Sequence, residues 1–89
     1  MEKTERGFAI EKFTDRYGAK CSIQKSSLAF EDCIWIGIDT PDPKIMSSEG
    51  WMPYELPKEV LINSRMHLTR EMVVELLPAL IKFAKTGNL

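Results

Sequence analysis

Eighty-nine residues, 44% hydrophobic and 28% charged, make one ordinary globular domain and exclude a disordered tail. The net charge of −1 gives no overall pull toward nucleic acid or anionic lipid, so direct nucleic-acid binding is not expected, and no apolar run approaches a membrane span. A chain this short buries only ~60–65% of its unfolded surface, which asks for one sheet layered with one helix or for a homodimer that shares its core.

The charges are unevenly placed. Residues 1–30 carry six basic and four acidic side chains, residues 31–60 two and seven, and residues 61–89 four and two. The acidic middle is too sparse to imitate DNA, and the basic third is too mixed to track a polyphosphate. Cys21 and Cys33 lie within apolar, strand-like runs, the setting of reduced thiols and a cytoplasmic protein. No apolar segment of a signal peptide follows Met1-Glu-Lys-Thr-Glu-Arg6.

In chain order, residues 1–6 are charged and expected to fray. Gly7 to Thr14 reads as a strand, Asp15-Arg-Tyr-Gly18 as a turn and Lys20 to Lys25 as the returning strand of a hairpin. The turn has a mechanism: an aspartate accepts from nearby backbone N–H groups, and a glycine takes positive φ. Ser26 to Asp32 is a connector. Cys33-Ile-Trp-Ile-Gly-Ile38 is the strongest strand, with Ile34, Ile36 and Ile38 on one face and Cys33, Trp35 and Gly37 on the other. Apolar residues on both faces suggest a central strand.

Residues 39–59 hold four of the five prolines, a density that blocks a central strand or a helix interior. They are expected to form a long loop whose Trp51 and Tyr54 either close the open side of the core or belong to a binding surface. Val60 to Leu68 alternates as a fourth strand. Val60, Ile62, Met66 and Leu68 lie on one side of it, and Leu61, Asn63, Arg65 and His67 on the other.

Thr69 is the expected N-cap of a helix with Glu71 in its first turn. An apolar stripe of Met72, Val73, Leu76, Leu77, Leu80, Ile81 and Ala84 follows, Lys82 and Lys85 close the last turn, and Gly87 is the stop. Pro78 inside the helix predicts a bend. The fold class is therefore α+β: an antiparallel sheet of about four strands with one C-terminal helix packed on one face, that of Ile34, Ile36 and Ile38.

No catalytic constellation emerges. His67 beside Arg65 has no Ser or Cys placed by spacing as a nucleophile, and Glu31-Asp32 reads as a turn pair. Cys21, Cys33 and His67 are not at metal-ligand spacing, and no glycine-rich phosphate loop is present. No cofactor and no enzymatic activity are expected. What remains is recognition. Trp35 across from Arg65 and His67 would put an indole beside a guanidinium and an imidazole, a cluster suited to a protein hot spot or to stacking on a base; alternatively, the proline-rich segment covers Trp35. With Trp51 and Tyr54 these form the candidate binding residues.

Cys21-Ser-Ile-Gln-Lys-Ser-Ser27, Ile34-Trp-Ile-Gly37, Arg65-Met-His-Leu-Thr-Arg-Glu71, and Leu76-Leu-Pro-Ala-Leu80 with Phe83 and Thr86-Gly87 resemble a family of short bacteriophage and prophage proteins. The resemblance runs from about residue 7 to the C-terminus, and Arg65–Glu71 is its most specific part. The family has no agreed reaction. It implies an accessory phage protein of the host cytoplasm that binds and disables a host protein, as anti-CRISPR proteins do, or one that sequesters a signal nucleotide.

Overall fold

The computed structural model describes residues 2–3, 7 and 9–89, with backbone alone for 2–3. The strands are β1 (Glu2–Lys3), β2 (Ala9–Thr14), β3 (Lys20–Lys25), β4 (Cys33–Ile38), β5 (Lys44–Ser47), β6 (Gly50–Pro53) and β7 (Arg65–Thr69), and helix α1 spans Arg70–Thr86. Four antiparallel strands, β2-β3-β4-β7, form the main sheet, and the two-residue β1 extends it at one edge. The class is α+β, as the alternation and the capped C-terminal stripe predict. Apart from β1, the segment 1–6 expected to fray lies outside the described residues, as does Phe8.

The first hairpin forms as its turn chemistry requires. Asp15 Oδ1 accepts from the backbone N–H of Tyr17 and of Ala19, both at 2.9 Å, and Gly18 takes φ +86°. Register then sets the faces. Ile34 sits opposite Leu68, Ile36 opposite Met66 and Ile23, and Ile38 opposite Cys21, giving one apolar face that Phe13 joins from β2. Trp35 opposite His67, and Gly37 opposite Arg65, lie on the other face.

The fourth strand is shorter than the alternation suggests. Pairing with β4 begins at Arg65; β4 itself ends at Ile38, so residues 60–63 have no neighbouring strand to join. Ser64 makes the transition: its carbonyl accepts from the N–H of Ile38 at 3.2 Å, and its hydroxyl donates to the carbonyl of Ile38 at 2.9 Å.

Residues 39–59 are not one loop. They contain the ribbon β5-β6, paired only with itself. Proline is compatible with it because each strand of a two-stranded ribbon is an edge, and Pro53 is a terminal residue of its strand. The turn is held by Ser47 Oγ, which accepts from the N–H of Glu49 and donates to the carbonyl of Gly50. Trp51 and Tyr54 do not close the core; they are 64% and 47% exposed.

Helix α1 is capped as its sequence predicts. Thr69 Oγ1 accepts from the N–H of Met72 at 3.2 Å, and Gly87, at φ +76°, donates to the carbonyl of Phe83 at 2.8 Å. Its packing departs from expectation. The helix meets the sheet at its root, where Val73 is half-buried beside Ile34 and Leu68, and none of its residues is buried. The described residues that are buried outright are Cys21, Ser22, Ser26 and Cys33. No described helix is long and apolar enough to cross a membrane.

Both cysteines are free. Burial raises the pKa of each thiol; Asp15 and Asp39 add to the effect at Cys21, and Glu31 adds to it at Cys33. Thiolate therefore forms only at higher pH than for an ordinary cysteine, and the folded protein should react sluggishly with thiol reagents at neutral pH. Unfolding without reductant should release two titratable thiols. Finding none would require a bridge between the two.

Candidate recognition face

The face of the sheet opposite the isoleucines carries the candidate site. Trp35 and His67 are direct cross-strand partners, and their rings stack with centroids 3.9 Å apart and planes 11° from parallel. Arg65, two residues along β7, places its guanidinium carbon 5.3 Å from the centroid of the indole, within cation–π range. Gly37 makes this possible. It lies opposite Arg65 at φ +145°, and a Cβ built there would sit 2.6 Å from the carbonyl oxygen of Ser64 and 2.9 Å from Arg65 Cα. The absent side chain lets β7 lie close against β4 beside Trp35.

A hydroxyl holds the imidazole from the far side. Ser26 Oγ lies 3.0 Å from His67 Nε2, and the same Oγ accepts from the N–H of Leu28 at 3.3 Å. Ser26 is buried, so the hydroxyl end of the bond is shielded from water. Nothing in the sequence marks Ser26 for this role; it is one of two serines in a connector, 41 residues from its partner. A second buried hydroxyl, on Ser22, donates to the carboxylate of Asp39 and secures the end of β4.

The structure thus brings Trp35, Arg65 and His67 together and leaves Trp51 on the separate ribbon and Tyr54 just past its end. Lys25 and Arg70 converge on Asp32, at 3.0 and 3.8 Å. The hydrogen bond and charge of Lys25, with a contribution from Arg70, hold the Asp32 carboxyl below the usual range. All three side chains are well exposed, so this is a weak tie across the helix root.

Two cavities lie elsewhere. One, of about 490 Å³, sits between the helix root and the sheet and is lined by Ile34, Leu68, Val73 and Val74 among others; the second, of about 760 Å³, lies among Asp15, Asp39, Asp42 and Lys44. Neither is lined by Trp35, Arg65 or His67. Among the described residues, no three His, Cys, Asp or Glu side chains gather as metal ligands would. The chain matches no protein-family model, no curated protein and no solved structure.

Proposed function

We propose that this chain is a phage or prophage accessory protein that acts by binding rather than turnover and inhibits a host protein, with Trp35, Arg65 and His67 as its contact face. The observation that carries this reading is the pre-stacked Trp35–His67 pair with Arg65 beside the indole, on the sheet face opposite the isoleucines. Tryptophan and arginine concentrate binding energy in few contacts, and a cluster already held by a buried hydroxyl loses little side-chain entropy on docking.

A protein partner is favoured over a nucleotide for two reasons. His67 already occupies one face of the indole on which a base would stack, and the cavities beside the helix root and among Asp15, Asp39 and Asp42 are not lined by this cluster. The family resemblance supports a host-defence complex as target, the anti-CRISPR case included.

The test is capture from host lysate by the native chain. A host protein retained in stoichiometric amount, together with restored phage plating on a defended host, is the expected result. Absorbance near the nucleotide maximum in material released by heating would favour sequestration of a nucleotide instead. Consumption of a substrate by catalytic amounts of the chain would sink the binding reading altogether.

A further inference from the structure

The chain leaves open the apolar surfaces that it builds. Its accessible surface is 7940 Å², where a compact monomer of this mass exposes about 5,300 Å². Its radius of gyration is 16.3 Å, against about 12 Å for a compact chain of this length. Part of the excess belongs to the ribbon and the connectors, where Trp51 is 64%, Leu61 85% and Phe30 103% exposed; the rest includes two apolar surfaces. On the isoleucine face, Phe13 is 44% and Met66 58% exposed; on α1, Leu76 is 45% and Leu80 59% exposed.

These two surfaces would cover each other, but the chain cannot fold one onto the other. Thr69 is at once the last residue of β7 and the N-cap of α1, so there is no loop in which the chain could reverse. The helix therefore leaves the end of the sheet and touches it only at the root, above the 490 Å³ cavity. Residues Met72 to Ala84 also present an apolar arc of roughly 200°, about twice what a helix laid on a single surface needs. Such an arc asks for cover on two sides.

We infer that the protein is a symmetric homodimer in which α1 of each copy lies over the isoleucine face of the other sheet, with the two helices side by side. The reciprocity of the two surfaces, each copy offering the helix that the other's open face lacks, selects a second copy over another occupant. Each chain has about 2,600 Å² in excess of a compact monomer, shared among the isoleucine face, α1, the ribbon and the connectors. A standard heteromeric interface takes only about 800 Å² from each partner, whereas obligate homodimers bury about 2,000–5,000 Å² in total. Two copies come within that range when only part of the excess is covered, and because each brings a helix and an open face, a single two-fold axis satisfies both. Trp35, Arg65 and His67 lie on the opposite side of the sheet, so the dimer presents two recognition faces outward. The inference uses none of those residues and stands independently of the function proposed for them.

Sedimentation or light scattering on the native chain should give twice the 10.2 kDa chain mass at micromolar concentration, with a melting temperature that rises with concentration. A 10.2 kDa particle at every concentration overturns the inference. Leu80→Glu should shift the mass to the monomer. Should that variant fail to fold, the native protein decides: in a sample mixed from methyl-labelled and unlabelled copies, nuclear Overhauser contacts are expected between Leu76 or Leu80 of one copy and Ile36 or Ile38 of the other. Intermolecular contacts confined to the ribbon or to the sheet edges, or helix contacts found only within one copy, would exclude this arrangement. A dimer that captures no host protein would leave the inference standing and remove only the function proposed above.

Discussion

Gly37→Val is expected to be the most damaging single substitution in the sheet, lowering stability by about 3 kcal/mol or more. Two penalties coincide. At φ +145° the backbone of Gly37 lies where a β-branched residue is rarely found, and the new Cβ would stand 2.6 Å from the Ser64 carbonyl oxygen. Both neighbours are backbone atoms, so no side-chain rotation relieves the clash. To make room β7 must withdraw, which loosens the paired hydrogen bonds between Ser64 and Ile38 and draws Arg65 away from Trp35. In a domain whose total stability is about 5–10 kcal/mol this is a large fraction. Urea midpoints measure it, and Gly37→Ala should show a smaller loss of the same sign. A valine variant that melts with the wild type would mean that the close approach of β4 and β7 is dispensable.

Trp35→Ala is expected to weaken partner capture at least 30-fold, taking about 2 kcal/mol for a central aromatic anchor. Arg65→Ala should weaken it comparably. The double variant should fall short of the sum, because the two side chains touch and removal of the indole already strips Arg65 of its support. Arg65→Lys should not rescue, since an ammonium lacks the planar group that lies along an indole. Neither residue is deeply buried, so circular dichroism should remain native. A folded double variant that still captures the same partner with wild-type affinity would move the site elsewhere, with the exposed Trp51 of the ribbon and the adjoining Tyr54 as the next candidates.

Much of the fold was legible because it is local. The Asp15–Gly18 turn, the Thr69 cap and the Gly87 stop each rest on a side chain or a φ value within a few residues of what it satisfies. The faces of β4 and β7 follow from alternation alone, which is why Trp35 could be set beside His67 and Arg65 in advance. The ribbon at 44–53 was hidden by its prolines, which exclude a central strand but not a strand with a free edge. The hold of Ser26 on His67 could not be read from spacing, because a connector hydroxyl meets a strand imidazole only once β3, β4 and β7 are laid side by side.

By itself, then, the sequence determined the class, the faces and the ends of the helix, since periodicity and capping act over one or two turns of chain. It also marked the helix stripe as something to be buried. Only the tertiary structure decided where that stripe would go. A zero-residue junction at Thr69 carries α1 off the end of its own sheet, and hydrophobic periodicity states how much surface seeks cover without stating which chain supplies it.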